Sequence, residues 1–383
     1  MENTSVDAAA HQHSAIGAYL TPTVAEIDLG RLWSNVEVFR SAAPGATLMA
    51  VVKADAYGHG AAEVARFLSS KGIEWFAVAT VAEAVELRHA GIDGRIHVFA
   101  APLPEYLPLY AKHELDLTVS SLDVAQAVAG EAARSGSFRV HVKVDTGMGR
   151  IGMPPVEIPM VLALLEHTPN VLIEGLWTHL ATVDDDRLDF AYRQLESFRD
   201  VLSRYGDAAA HIHAATSSAV LRIPESFSFD RPMIRVGIGL YGYSARKGLA
   251  ESAGLRPVMR LTSRVTHTKW VEEGTSISYD RRWRADRRTR IATVGAGYAD
   301  GYPRLLTNRS EIAIRGRRYP VAGTICMDMV MVDVGSDADV DTGDEAVLFG
   351  DGAPNAFEIA ELAGTIPYEI LTGVTRRVVR RYK

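Results

Sequence analysis

Short β-branched runs alternate with amphipathic segments between about residues 45 and 245. The run 75–80 (WFAVAT) is almost entirely apolar, whereas 81–91 (VAEAVELRHAG) repeats its apolar residues every three to four positions, which predicts a helix. The same pairing of patterns occurs at 47–54 and 60–70. Strands that alternate with helices form parallel sheets. The candidate strands of this region are 47–54, 75–80, 95–100, 115–120, 139–145, 172–180, 210–216 and 233–242.

Eight such strands predict an α/β fold with a closed (β/α)8 barrel of the TIM type. An open doubly wound sheet is the alternative, but no G-x-G-x-x-G follows the first strand, which disfavours its dinucleotide-binding version. We assign residues 21–254 to the barrel domain and residues 1–20 to a flexible tail. The segment 23–30 also has the pattern of a strand. Because the barrel has eight candidate strands without this segment, one position for it is in a sheet of a second domain.

The pattern changes after about residue 255 to extended runs separated by glycines and charged turns. The segment 310–323 (SEIAIRGRRYPVAG) has the form of a β-hairpin. Residues 255–383 are therefore expected to form a mostly β C-terminal domain. Its candidate strands lie within 258–271, 288–301, 310–334 and 344–350.

The amino-acid composition disfavours some classes of binding partner. The formal charge of −6 argues against a general nucleic-acid binder and against adhesion to an anionic membrane surface. No run approaches the roughly 18 apolar residues of a membrane span, and the first residues lack a signal-peptide pattern. The single cysteine, Cys326, excludes an internal disulfide and is expected to be a small buried apolar residue. The histidines lack convincing metal-ligand spacing. We expect a cytoplasmic protein that holds no metal.

Lys53 ends the first barrel strand, and the carboxyl ends of barrel strands carry the chemistry of TIM barrels. Partial burial lowers the pKa of a lysine there and frees its amine to form Schiff bases with carbonyls or with pyridoxal phosphate (PLP). The alternative from the residues alone is a surface lysine that extends from a strand end into water.

The segment AVVKADAYGHG (50–60) closely resembles the PLP-attachment segment of alanine racemases. Further motifs of that family follow over nearly the whole chain. They are HVKVDTGMGR (141–150), WTHLAT (177–182), HAATSSAVLR (213–222), IRVGIGLYG (234–242), ISYD (277–280), GAGYADGYPR (295–304), GTICMDM (323–329) and PYEIL (367–371). The resemblance implies a fold-type III PLP enzyme that interconverts L-alanine and D-alanine, a building block of peptidoglycan. It also implies a homodimer whose active sites are shared between subunits.

The same resemblance assigns the catalytic roles. Lys53 would hold PLP and act as the base for D-alanine, and Tyr279 of the partner subunit would be the opposing base. Inversion needs two bases because the proton leaves one face and returns to the other. His179 and Arg235 would form a hydrogen-bonded chain to Tyr279. Arg235 would also face the pyridine nitrogen and keep it unprotonated, which favours racemisation over transamination.

Further residues would hold the cofactor and the substrate. The family pattern assigns the phosphate to Tyr57, Ser217, Tyr368 and the backbone N–H groups of Gly237 and Ile238. It assigns the substrate carboxylate and the pocket entrance to Arg150, Met327, Asp328 and Tyr298. Lys143 is carbamylated in many members, and a carbamate there would orient Arg150. A plain Lys–Asp pair inside the barrel is the alternative for Lys143.

Some positions depart from the family pattern. Thr216 stands where an Asn is expected, Asp280 follows Tyr279 where many members have Gly, and the ending 371–383 is unusual. These departures bear on the identity of the amino-acid substrate more than on the reaction. The alternatives are a racemase of serine or lysine, a PLP decarboxylase of related fold, and a non-catalytic PLP carrier. The presence of a second domain and of Tyr279 argues against the carrier.

Overall fold

The structure is a computed structural model that describes residues 21–336 and 339–383. The tail predicted for residues 1–20 lies outside the described residues. The chain divides into two compact units, one of them Leu32–Arg256 and the other made of Pro257–Lys383 with the segment that ends at Arg31. Strand β1 (Val24–Ile27) is the first regular element, and helix α1 (Leu29–Ala42) follows it.

The Leu32–Arg256 unit is the predicted barrel. Its strands are β2 (Thr47–Val51), β3 (Trp75–Val78), β4 (Arg95–Val98), β5 (Asp116–Val119), β6 (Phe138–Lys143), β7 (Val171–Trp177), β8 (His211–His213) and β9 (Met233–Val236). They form one eight-stranded sheet in the order β8-β7-β6-β5-β4-β3-β2-β9, with parallel pairing throughout. The ends β8 and β9 approach each other through a bridge between Ile212 and Pro232. The (β/α)8 prediction is confirmed.

Helices connect these strands. After α1 they are α2 (Ala61–Ser70), α3 (Val81–His89), α4 (Leu107–Lys112), α5 (Leu122–Ser135), α6 (Ile158–Glu166), α7 (Asp189–Tyr205), α8 (Ser217–Arg222) and α9 (Leu249–Ser252). Single turns lie at Pro104–Tyr106, Pro155–Glu157, Gly206–Ala208, Pro224–Ser226 and Ile238–Tyr241.

The local chemistry explains where these elements begin and what they bury. The Thr80 hydroxyl accepts the Glu83 N–H while the Glu83 carboxylate accepts the Thr80 N–H, a capping box that starts α3. Strand β3 is buried at every position because helices cover one face of the sheet and the barrel interior fills the other. This double burial is why the strands of the barrel are continuous apolar runs.

The other unit is mostly β, as predicted. Its strands after β1 are β10 (Met259–Val271), β11 (Ser276–Ile277), β12 (Trp283–Arg284), β13 (Thr289–Val294), β14 (Glu311–Ile314), β15 (Arg317–Pro320), β16 (Val330–Gly335), β17 (Glu345–Phe349) and β18 (Val379–Tyr382). Its helices are α10 (Ala356–Ala363) and α11 (Pro367–Thr372), and single turns lie at Tyr279–Arg281, Tyr298–Asp300 and Arg304–Leu306. Strands β14 and β15 form the predicted hairpin, whose turn residues Arg315 and Gly316 both have positive φ.

Strand β1 belongs to this β unit, which differs from the prediction of a barrel domain over 21–254. It pairs antiparallel with β10 and parallel with β18. The barrel has all of its strands without β1, so the backbone groups of β1 are satisfied in the second sheet. The division into units falls at Arg256, two residues from the predicted position. None of the helices in the described ranges is long and apolar enough to cross a membrane.

Candidate active site

Lys53 follows the carboxyl end of β2, which ends at Val51 rather than at the predicted residue 54. The next residues, Ala54 to Tyr57, form a left-handed turn with φ between 51° and 54°. Left-handed helical geometry costs L-residues roughly 1–2 kcal/mol each, and no glycine relieves it in this turn. A strained turn of this kind persists only where its surroundings hold it, and such turns concentrate at functional sites.

Glu83 is the residue that holds this turn. One of its carboxylate oxygens accepts the Ala54 N–H at 2.7 Å, and the other accepts the Ala79 N–H at 2.7 Å and the Thr80 N–H at 3.1 Å. The carboxylate therefore ties the end of β2 to the end of β3. Burial lowers the pKa of Lys53, the nearby Arg150 lowers it further, and Glu83 opposes both. A lysine with a lowered pKa has a larger share of its nucleophilic neutral amine at pH 7.

A cradle of backbone N–H groups forms at the end of β9. The Ser217 hydroxyl accepts the Gly237 N–H at 2.9 Å and the Gly239 N–H at 3.2 Å, so both donors converge on one oxygen position. A Cβ on Gly237 would lie 2.5 Å from the Tyr57 hydroxyl oxygen, so only glycine fits there. Converging N–H groups beside two hydroxyls form a site suited to a phosphate.

Arg235 on β9 is almost fully buried. Its Nη atoms donate to the carbonyls of Thr178, His213 and Ala214, and they contact ring nitrogens of His213 at 3.1 Å and of His179 at 3.4 Å. Within residues 21–336 and 339–383 every hydrogen bond of this guanidinium uses Nη1 or Nη2, which leaves its Nε–H as the donor for a ligand.

The surroundings of Arg235 favour neutral histidine. Burial and the Arg235 charge hold the pKa of His179 well below its ordinary value. Burial, with Arg150 nearby, lowers the pKa of Arg235 to about 9, so the guanidinium remains protonated at pH 7. His179 is therefore a neutral partner of a cation.

Lys143 ends β6 and is buried with its amine 4.3 Å from the centre of the Trp177 ring. Burial and the charge of Arg235 lower the pKa of Lys143 to about 6. Its amine hydrogen-bonds only to the Val144 carbonyl, at 3.4 Å, among the described residues, and it forms no ion pair with an acidic side chain there. The alternative of a Lys–Asp pair is thus wrong, because the nearby Asp145 carboxylate instead accepts the N–H groups of Gly147 and Gly149.

The β unit brings together a second group of the predicted residues. Tyr279, Tyr298 and Met327 are 68%, 40% and 53% exposed, a large apolar area for one surface. The Thr324 hydroxyl donates to the Tyr279 carbonyl at 2.9 Å, and the Tyr298 N–H donates to the Cys326 carbonyl at 3.1 Å. These bonds hold the three loops side by side. Cys326 is half-buried rather than fully buried as expected, because its thiol lies at the edge of this surface.

Two further residues hold Asp328 in this surface. Arg377 contacts the Asp328 carboxylate at 2.9 Å and the buried Asp300 carboxylate at 2.7 and 3.1 Å. Asp300 in turn accepts the Gly297 N–H at 2.8 Å.

Tyr368, on α11, is half-buried. The departure Asp280 has a φ of 61°, where a glycine would be unstrained, and lies 3.4 Å from Arg282 and 3.9 Å from Arg304.

Models of two known domains match the chain in sequence. "Alanine racemase, N-terminal domain" covers residues 27–245, and "Alanine racemase, C-terminal domain" covers residues 258–382. The chain belongs to the alanine racemase family. Enzymes of this family are isomerases that depend on PLP, and this member is therefore a PLP-dependent isomerase.

Individual relatives agree with the family assignment. The chain is 42% identical to the alanine racemase of Chlorobaculum tepidum over 97% of this chain and 99% of that protein. It is 40% identical to that of Halothermothrix orenii over 94% of this chain and 97% of that protein. Among solved structures, alanine racemase of Clostridium difficile 630 superposes with a TM-score of 0.90 at 37% identity, covering 95% of this chain and 96% of that one. That of Streptomyces coelicolor gives a TM-score of 0.89 at 36% identity, covering 96% and 99%.

The residues of the barrel unit fit PLP, the family's cofactor. The glycine at 237 leaves room beside the Tyr57 hydroxyl, and the N–H groups of Gly237 and Gly239 converge on the Ser217 hydroxyl, where a phosphate oxygen could replace it as their acceptor. Lys53 supplies an amine of lowered pKa for the aldehyde. The free Nε–H of Arg235 suits an unprotonated ring nitrogen. The described residues contain no group of three or more His, Cys, Asp or Glu that could hold a metal ion.

Some residues of the site were missed by the sequence reasoning. The cradle uses the N–H of Gly239, next to the predicted Ile238. Glu83 and Arg377 lie in motifs that carry no catalytic pattern, so only the folded backbone reveals their partners. His141 and His213 had a signal, since both stand on strands at positions that alternate with apolar residues. Alternation indicates a buried face but not which histidines meet across it.

Proposed function

We propose that this chain interconverts L-alanine and D-alanine with PLP, using Lys53 and the partner subunit's Tyr279 as the two bases. The observation that carries the proposal is the environment of Lys53, a partly buried lysine of lowered pKa held by a strained turn in the barrel unit. When bound, PLP delocalises the electron pair left on the substrate α-carbon after its proton departs. The remaining requirements of the reaction fall on the side chains and backbone N–H groups of the protein.

Proton movement needs one group on each face of the α-carbon. Lys53 removes the α-proton of D-alanine and returns a proton to the same face of the α-carbon. Tyr279 does the same on the opposite face, for L-alanine. The exposure of Tyr279 supports this assignment, because a base that works in a partner subunit must project from its own chain. We assign the phosphate to Tyr57, Ser217, Tyr368 and the N–H groups of Gly237, Ile238 and Gly239.

Arg235 sets the electronic character of the site. A guanidinium cannot give up a proton readily, so the Nε–H of Arg235 would leave the cofactor's ring nitrogen unprotonated and make the ring a weak electron acceptor. Lys53 or Tyr279 would then return the proton to the α-carbon. The product is alanine of the opposite hand rather than a keto acid.

We assign the substrate carboxylate to Arg150, and Lys143, once carbamylated, would orient Arg150. An amine with a pKa of about 6 is neutral at pH 7, the form that reacts with carbon dioxide to give a carbamate. The carbamate would place an anion where Arg235 and Arg150 now have only a neutral amine between them. Carbon-13 NMR after incubation with labelled bicarbonate tests this step. We expect a carbamate signal in the native chain that is absent from Lys143→Gln.

We propose that the chain forms a homodimer, and the apolar surface around Tyr279, Tyr298 and Met327, which a monomer would leave in water, supports this. In the dimer this surface, with Asp328, would meet the barrel of the partner subunit and narrow its pocket. D-Alanine made by the dimer would supply peptidoglycan synthesis. We also assign the enzyme to the cytoplasm, where its single cysteine stays reduced. Cell fractionation tests the location.

The reaction is tested by α-proton exchange in D2O on a panel of L-amino acids with the purified, PLP-loaded protein, followed by NMR and optical rotation. We expect exchange with loss of rotation, fastest for alanine. Racemisation confined to serine or lysine would keep the mechanism and change the substrate. No exchange on any amino acid while PLP is demonstrably bound, or carbon dioxide release, would contradict the proposal and favour a carrier or a decarboxylase.

The shared site is tested by mixing two inactive variants. A heterodimer of Lys53→Ala and Tyr279→Phe chains contains one site with both bases intact. We expect part of the wild-type activity to return after subunit exchange, up to about one quarter if subunits mix at random. If exchange is verified by mass spectrometry and no activity returns, each site is built from one chain.

A further inference from the structure

The barrel interior next to Arg235 is filled by histidines. His97 on β4, His141 on β6 and His213 on β8 have no solvent exposure. Side chains from alternate strands of a TIM barrel share a layer, and that layer is usually aliphatic. The His213 ring lies parallel to the Trp177 ring, with an interplanar angle of 2° and centroids 5.4 Å apart. Burying a polar imidazole costs free energy, so three of them in one layer indicate a role other than packing.

The hydrogen bonds of this layer have a fixed direction. Arg235 Nη1 lies 3.1 Å from His213 Nδ1, and His213 Nε2 lies 3.0 Å from His141 Nδ1. A guanidinium only donates, so His213 Nδ1 must carry a lone pair. The single ring proton of a neutral His213 then sits on Nε2 and is donated to His141. The same reasoning places the His141 proton on its own Nε2, a buried nitrogen that has no hydrogen-bond partner among the described residues.

The other states of His213 are unfavourable. Burial and the charge of Arg235 hold its pKa well below the ordinary value, so the doubly protonated ring is excluded at neutral pH. The tautomer with its proton on Nδ1 would point an N–H at the N–H of Arg235. The remaining tautomer needs an acceptor for Nε2–H, and His141 is that acceptor. Without His141 the N–H of His213, the ring that contacts Arg235, would itself be unpaired, whereas in the native layer the unpaired N–H lies on His141, which has no hydrogen bond to Arg235.

The backbone around His141 is shaped to admit its ring. The pairing of β6 with β7 shifts register between Val140 and His141, and a Cβ on Gly175 would overlap the His141 imidazole. The His97 ring stacks on the His141 ring at 4.0 Å with an interplanar angle of 16°. His97 is itself fixed by Thr118, whose hydroxyl lies 3.0 Å from His97 Nε2 and donates to the Val98 carbonyl.

We propose that His141 is a positioning residue for Arg235, because it fixes the tautomer of His213 and through it the orientation of the guanidinium toward the cofactor ring. This inference rests on the proposed function, in which Arg235 faces an unprotonated ring nitrogen. A guanidinium that loses its His213 contact would no longer hold that nitrogen unprotonated. The cofactor ring would then be a stronger electron acceptor, and the side reaction of transamination would become faster.

The side reaction has a distinct product. The amino group of alanine passes to the cofactor, water supplies the oxygen of the keto group, and alanine leaves as pyruvate. Alanine is oxidised by two electrons, and the cofactor aldehyde carbon is reduced to its amine form. Pyruvate formed per racemisation event therefore measures how well Arg235 is positioned, independently of how much folded enzyme is present.

Three variants of the loaded enzyme test the proposal. His141→Phe removes the acceptor and keeps a planar ring, and we expect pyruvate per racemisation to rise about tenfold, the effect of roughly one misplaced hydrogen bond. His141→Asn offers its amide oxygen near the position of Nδ1 and should restore the wild-type ratio. Thr118→Val breaks the outer contact to His97 and should lower stability with the ratio unchanged. Equal ratios in His141→Phe and His141→Asn would overturn the proposal.

The tautomer itself is measured by NMR of the enzyme with nitrogen-15 in its histidine rings. We expect His213 and His141 to be neutral and protonated on Nε2, and His213 to change its state only in His141→Phe. A proton on His213 Nδ1 in the native enzyme would overturn the proposal. A native enzyme with the expected tautomers but no racemisation would instead contradict the proposed function, so the two failures are distinguishable.

Discussion

The Glu83 carboxylate accepts the backbone N–H of Ala54 at 2.7 Å, directly beside Lys53, to which we assign the catalytic amine. Its second oxygen accepts two N–H groups at the end of β3, so one side chain joins two barrel strands at the base of the left-handed turn. The turn has no glycine to relieve it, and its positive φ values are maintained by contacts such as this one.

Replacing Glu83 with Gln should therefore loosen the turn. An amide cannot accept on both sides, and the backbone N–H groups facing its NH2 lose their partner. We expect the free energy of unfolding of the apoenzyme to fall by about 1–3 kcal/mol. The pKa of Lys53 should fall further, since the Glu83 charge raises it. Urea unfolding and pH-dependent lysine modification check both effects. Glu86→Gln, on the exposed face of the same helix, is the control, and equal losses in the two variants would contradict the assignment.

The strain in the turn gives a second prediction. Ala54 is exposed and has a φ of 51°, so Ala54→Gly removes a steric penalty without removing buried surface. We expect a gain of up to about 1 kcal/mol in the free energy of unfolding. Ala133→Gly, at an exposed position in helix α5, should instead lose about 0.5–1 kcal/mol. Thermal unfolding of Ala54→Gly and Ala133→Gly measures the difference between their free energies of unfolding. A loss of similar size in both variants would mean that the turn is unstrained.

Cofactor affinity should depend on the glycine at 237. In Gly237→Ala the new methyl would meet the Tyr57 hydroxyl, so the cradle must open before a phosphate can enter. We expect the Kd for PLP, from titration of the apoenzyme by fluorescence, to rise by at least about tenfold, since overpacking costs roughly 1–3 kcal/mol. Gly130→Ala is the control, because a methyl there has its nearest neighbour at 3.7 Å. Unchanged PLP affinity in Gly237→Ala would contradict the phosphate assignment.

The buried histidines predict a loss of stability in acid. Burial lowers the pKa of His141 to about 3, whereas in the unfolded chain it is about 6.5. Below pH 6.5 the unfolded chain binds a proton that the folded chain does not, so stability falls as pH falls. Between pH 6.5 and pH 5 this one residue should remove about 2 kcal/mol. Urea unfolding at fixed protein concentration should show a pH dependence in His141→Phe that is smaller by that amount. The same slope in wild type and variant would indicate that His141 is charged in the fold.

Much of the architecture could be predicted because burial on both faces makes barrel strands into apolar runs. The left-handed turn could not, since Ala and Tyr carry no local preference for positive φ, a single Asp does not predict four consecutive residues there, and tertiary contacts impose the turn. Strand β1 was recognised as a strand, but the sheet it joins depends on pairing partners more than 230 residues away in sequence, such as Arg260 beside Glu26.

The site residues likewise divide into those that the sequence predicts and those that only the folded structure reveals. Lys53 and Tyr57 lie in one motif, so both could be predicted from the sequence. The partners of Arg235 are backbone carbonyls and histidine nitrogens at the ends of two other strands, β7 and β8, and they meet it only through the register of the barrel sheet. The shift between Val140 and His141 is one example, because it turns a histidine toward Gly175 without leaving any mark in the hydrophobic pattern.

The central claim is that Lys53 and Tyr279 serve opposite faces of the substrate. It is tested most directly by α-proton exchange in D2O, measured separately for L-alanine and D-alanine, with PLP-loaded Tyr279→Phe and wild type side by side. Lys53 remains in the variant, so we expect the α-proton of D-alanine to exchange without inversion. Exchange of L-alanine and racemisation should both be lost. Equal exchange of the two enantiomers, or racemisation at near the wild-type rate, would contradict the two-base account.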